Sequence, residues 1–113
     1  MTKQMLKKQF KEDIKKISAL IWKKYKPEKI ILFGSSVRGK MKENSDLDFF
    51  IVKNSTKPRH QRQDDVFRLL WGIRREYPVD VVIYTPKELE HRLELGDFFV
   101  RNILDEGKVL YER

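Results

Sequence analysis

Three short runs of apolar, β-branched and aromatic residues, "KIILF" at 29–33, "LDFFIV" at 47–52 and "VDVVIY" at 79–84, read as strands. Stretches of helical periodicity separate and flank them, and that alternation restricts the chain to a small sheet covered by helices. Met5 to Tyr25 carries Leu6, Phe10, Ile14, Ile17 and Ile21 at steps of three and four, up to the stop at Pro27. Asp64 to Tyr77 places Val66, Phe67, Leu70, Ile73 and Tyr77 on one helical face, and Pro78 closes it. Thr85-Pro86 then opens a helix through Leu95, with Thr85 as N-cap and Pro86 at the first helical position. After Gly96 comes an apolar segment, Phe98 to Leu104, and after Gly107 the run "KVLYE" suits a short edge strand. The expected fold class is α/β (α+β), in the order α-β-β-α-β-α-α, a small mixed β-sheet with helices packed on one side. With 113 residues and 40% hydrophobic content the chain can fill one core but not two ordinary ones. No repeat, linker or boundary interrupts it, so residues 1–113 are expected to form a single domain.

Against that background the aspartates stand out. Asp46 and Asp48 open the second strand, although aspartate is depleted in strands and costly to bury. Alternation puts both on one strand face, about 7 Å apart, with Phe50 and Val52 continuing that face and Leu47, Phe49 and Ile51 on the other. Like charges this close repel, and a hard divalent cation relieves the repulsion. Mg²⁺ fits because it typically binds through one or two carboxylates plus substrate phosphates. Asp80, second in the third strand, is a further acid among β-branched residues. If its strand lies beside that of Asp46 and Asp48, the three acids can hold two metals about 3.5 to 4 Å apart, an arrangement suited to in-line displacement at phosphorus. Asp80 is then also placed to serve as general base toward an attacking hydroxyl.

The phosphate side of such a site falls on "GSS". Gly34, directly after a strand, lets backbone approach a ligand, and the amides of Gly34, Ser35 and Ser36 with the serine hydroxyls can meet phosphate oxygens. It is not a Walker-type loop, which requires a Gly-Lys-Ser/Thr ending. Arg38 and Lys40 can add positive charge toward a triphosphate.

Glycine-serine at Gly34-Ser35, ten intervening residues, Asp46-Leu47-Asp48, and a later strand aspartate at Asp80 together resemble the signature of the nucleotidyltransferase superfamily that includes DNA polymerase β. In size and in its "GSSVRG" wording the chain resembles the minimal nucleotidyltransferases, which often serve as antitoxins of HEPN-type toxins. The resemblance spans nearly the whole chain and implies a polymerase β-like core, two Mg²⁺ ions, and a nucleoside triphosphate, usually ATP. It implies transfer of the nucleoside monophosphate to a hydroxyl with release of pyrophosphate. Carried over, Asp46 and Asp48 are metal ligands, Asp80 is the third acid and activator of the acceptor, and Gly34 and Ser35 contact the triphosphate. In the antitoxin members the acceptor is a tyrosine of the helical partner toxin. No further domain for nucleic-acid substrates or base selection is expected in these 113 residues, so base preference and acceptor stay open.

Composition narrows the setting. The absence of cysteine excludes disulfides and thiolate metal sites and fits a reducing, cytoplasmic location. The N-terminal lysines interrupt any apolar stretch of the kind a signal peptide or membrane span requires, so no membrane association is expected. The net charge of +8 admits a nucleic acid or another polyanion as partner, although many lysines fall on one N-terminal helical face and suit a solvated surface. Two histidines, His60 in a loop and His91 in a charged helix, do not suggest a metal site. Trp22, Trp71, Phe98 and Phe99 are able to stack a base, but at helical spacing they read as core or interface, and "GDFFVRNILDEG" either covers the sheet or docks a partner. A second class of function remains beside catalysis: a binding module that neutralises a toxin or bridges nucleic acid by surface contact, keeping the acids as a remnant.

Overall fold

The structure is a computed structural model that describes residues 3–38 and 45–113. Four strands, β1 (Lys29–Phe33), β2 (Leu47–Val52), β3 (Val79–Tyr84) and β4 (Lys108–Glu112), form one sheet in the order β3-β2-β1-β4. β2 and β3 run parallel, whereas β1 is antiparallel to both β2 and β4, so the sheet is mixed as expected. Four α-helices accompany it: α1 (Lys3–Tyr25), α2 (Arg59–Leu70), α3 (Pro86–Glu94) and α4 (Phe98–Glu106).

The helices lie on both faces of the sheet, not on one side. Phe10, Ile17 and Ile21 of α1 and Val66 and Leu70 of α2 pack with Ile30, Leu32, Leu47, Phe49 and Ile51. Val100 and Ile103 of α4, with Leu89 and Leu93 of α3, pack with Ile31, Phe50 and Val52. Central strands buried on both faces carry near-continuous apolar runs, and "KIILF" and "FFIV" are such runs.

The helix expected over 64–77 is displaced toward the N-terminus, to Arg59–Leu70. It ends where Trp71 turns extended and Gly72 takes φ +83°, a conformation that glycine adopts without a Cβ penalty. Ile73 and Tyr77 still reach the α1 side of the core, but from irregular chain, Tyr77 with its ring 4.3 Å from that of Phe10. Asp13 of α1, fully buried, anchors this segment by accepting the Glu76 amide at 2.8 Å and the Gln9 amide at 3.0 Å. Lys16 adds a bond to the Arg74 carbonyl. His60, expected in a loop, is an exposed residue of the first turn of α2.

The start of α2 is held by a buried arginine. Arg62 forms a two-pronged pair with Glu88, at 2.7 and 3.1 Å, and also donates to the carbonyls of Ile83 and Lys57. Glu88 simultaneously completes the capping box with Thr85 that opens α3, as the Thr85-Pro86 pair predicts. The Arg62 hydrogen bonds, opposed by burial and helped by the Thr85 amide, push the Glu88 carboxyl down to about 2. Arg62→Ala is expected to lower stability by about 2 to 3 kcal/mol, the low end for a broken buried pair because Glu88 is partly exposed. Because the folded Glu88 is more acidic than the unfolded one, its contribution is present above pH ~4.5 and lost as pH falls toward 2. The gap between melts of wild type and variant should therefore narrow over that window, leaving the share due to the Ile83 and Lys57 carbonyls.

Candidate active site

The C-terminal end of β1 meets the N-terminal ends of β2 and β3 at one end of the sheet. Phe33, Asp48 and Asp80 stand in register across these three strands. Registered residues project to the same face, so Asp48 and Asp80 share the face covered further along by α3 and α4. Asp46 lies two residues ahead of Asp48, just before β2, and is exposed, as is Asp80; Asp48 is half-buried. Burial first, then the charges of Asp80 and Asp46, push the Asp48 carboxyl up to about 6.

Gly34 completes the row. It follows Phe33, opens a short 3-10 turn over Gly34–Ser36, and takes φ +80°. A Cβ placed on it would sit 2.4 Å from Oδ2 of Asp48, so the carboxylate lies directly over the glycine backbone. The leading amides of so short a turn have no partner inside it. Ser36 is engaged in the turn itself, its hydroxyl donating to the Phe33 carbonyl at 3.1 Å, which leaves only its lone pairs for a ligand. Ser35 is partly exposed beside it, and Arg38 is exposed. Lys40 lies outside the described residues.

A divalent cation suits this donor set. Burial first, and then the charges of Asp80 and Asp46, destabilise Asp48 as an anion, and a cation offsets that repulsion. Among the described residues no three His, Asp or Glu side chains form a group that could hold a metal ion between them. Mg²⁺ does not require that, because waters and substrate phosphates complete its octahedron.

Beside Gly34 a cleft of about 180 Å³ opens between the turn and α4, with Phe33 and Arg38 on one wall and Phe99, Asn102 and Glu106 on the other. Sequence reasoning assigned the α4 segment to covering the sheet or docking a partner and missed its polar members. The available signal was the spacing of 99, 102, 103 and 106, which marks a single helix face. The other aromatics are elsewhere: Trp22 stacks on Tyr111 at 5.0 Å, and Trp71 and Phe98 are largely exposed.

A model of the nucleotidyltransferase domain family matches residues 6–110. The chain belongs to the nucleotidyltransferase domain family. Within it, the chain is similar to a curated protein of Methanocaldococcus jannaschii named "Putative protein adenylyltransferase MJ0604", with 36% identity over 84 residues, 74% of this chain and 78% of that one. A crystal structure of a "putative nucleotidyltransferase" from Sulfolobus solfataricus shares the fold, with a TM-score of 0.56 over 98% of this chain and 84% of the other, at 18% identity. The row of Asp48 and Asp80 beside Gly34 thus belongs to a nucleotidyltransferase, whose substrate is a nucleotide. Among the described residues no helix is long and apolar enough to cross a membrane.

Proposed function

We propose that this nucleotidyltransferase moves AMP from ATP to a tyrosine hydroxyl of a helical, HEPN-type partner protein in the cytoplasm, and acts as that toxin's antitoxin. The observation that carries the reading is the registered pair Asp48 and Asp80 with Gly34 seated against the Asp48 carboxylate. The name of the M. jannaschii relative, at 36% identity, supports a protein acceptor and adenylyl transfer.

In this reading Asp46 and Asp48, with Asp80, hold two Mg²⁺ ions, which supply charge neutralisation at the phosphates. The backbone of Gly34 and Ser35 receives the triphosphate, and Arg38 adds positive charge. Asp80 accepts the proton of the acceptor hydroxyl as its oxygen bonds to the α-phosphorus. The bond from that phosphorus to the bridging oxygen breaks, and pyrophosphate leaves. Gly34 keeps the approach to Asp48 free of any side chain.

The test is incubation with Mg²⁺ and each α-labelled nucleoside triphosphate, with and without the candidate partner, beside an Asp46→Asn/Asp48→Asn double variant. Label from ATP on the partner, absent with the variant, is the expected result. Neutralisation of the partner without label, by wild type and variant alike, would assign the protein to the binding-module class.

A further inference from the structure

The cleft beside Gly34 runs along one face of α4, and past Gly34 and Arg38 its chemistry is unlike that of a phosphate site. Phe99 is half exposed, its ring edge-on to Phe33 with centroids 5.8 Å apart. Asn102 and Glu106 are exposed on the same helix face, and neither side chain bonds to any described residue. Glu106 also occupies the last turn of α4, where the helix dipole disfavours an acid. A carboxylate and an aromatic ring repel or ignore a polyphosphate, but together they suit a flat ring with donor groups at its rim. The cleft volume, about 180 Å³, lies well below the ~300–1,000 Å³ typical of sites for whole small-molecule ligands, so it admits a ring system and not an entire nucleotide. From Phe99 to Glu106 is about 10 Å along the helix axis, a reach that suits a two-ring base.

We propose that this face of α4 reads the base of the nucleoside triphosphate and selects an amino-bearing purine. The ring lies against Phe99. Its exocyclic amine donates to the acceptor-only carboxylate of Glu106, and the Asn102 amide pairs with the adjoining ring edge. This assignment rests on the nucleotide-transfer reading of the neighbouring acids and names the residues that read the base there.

Binding without an acceptor protein tests it. Dissociation constants of ATP, purine riboside triphosphate, GTP and ITP would be measured by calorimetry in Mg²⁺ for wild type, Glu106→Ala and Phe99→Ala. Each pair differs by one amine. Wild type should prefer ATP over purine riboside triphosphate by about tenfold, the pair that isolates the adenine amine. Glu106→Ala, which removes an exposed acid from a helix C-terminus and so leaves the fold intact, should abolish that preference. Phe99→Ala should weaken all four nucleotides by about tenfold. Nucleotide binding with no preference in either pair, or a preference unchanged in Glu106→Ala, would overturn the base-reading role while leaving the transferase reading in place. Failure of wild type to bind any of the four would overturn the proposed transfer from ATP as well.

Discussion

Asp48→Asn is expected to reduce nucleotide transfer by about a thousandfold or more while raising the melting temperature of the metal-free protein at neutral pH. The two effects share one cause. Asparagine retains the shape of the side chain but not the charge that binds a cation, so the catalytic loss follows from removing a ligand at the reacting centre. The same charge strains the metal-free fold, because burial and the neighbouring Asp80 and Asp46 lift its pKa from 3.8 to about 6. A carboxyl whose pKa is higher folded than unfolded lowers stability wherever it is forced to ionise. That penalty is fully present above pH ~6 and vanishes below ~4, where both states are protonated. Relief of about 1 to 2 kcal/mol is expected at pH 7, or roughly 5 °C or more in melting temperature. Thermal melts from pH 4 to 7 should show the variant's advantage growing with pH. With Mg²⁺ and a non-hydrolysable ATP analogue the order should reverse, because only wild type gains from the ligands. A variant less stable than wild type at pH 7 without metal would mean that the Asp48 carboxylate has a structural partner instead of a repulsive neighbourhood.

Gly34→Ala is expected to reduce transfer by about a hundredfold and stability by about 1 to 2 kcal/mol. Two separate costs combine. An alanine at φ +80° adopts a left-handed backbone at about 1 to 2 kcal/mol. Its Cβ would also stand 2.4 Å from Oδ2 of Asp48, closer than two such atoms can approach. The Asp48 side chain is short, so it must rotate away, and displacement of a reacting group by about 1 Å can cost a hundredfold in rate. Denaturant melts report the first cost and single-turnover transfer the second. Should activity survive within a few fold, the carboxylate position over Gly34 is not the one used in catalysis.

Much of this architecture was legible in the chain because its signals are local. The three strand runs, the Thr85-Pro86 helix start and the edge strand after Gly107 each occupy the residues that the pattern indicates. Helix α2 was misplaced because its first turns, "RHQRQ", contain no apolar periodicity. Arg62 is their buried member, and its burial depends on Glu88, 26 residues further along. Helix placement on both faces was implicit in "LDFFIV", where Phe50 and Val52 are as apolar as Phe49 and Ile51. Both sets need cover, and α4 supplies it for the first.

By itself the sequence determined the family and the element order and singled out the acids as candidates, since a glycine-serine turn and a D-x-D strand opening depend only on short-range spacing. The tertiary structure decided what those acids face. Pairing of β2 with β3 sets Asp48 opposite Asp80, the return of β1 brings Gly34 against the Asp48 carboxylate, and packing of α4 beside that turn adds Phe99, Asn102 and Glu106. Each of these meetings joins residues far apart in the chain, where local propensity carries no information and only burial of the two sheet faces selects the partner.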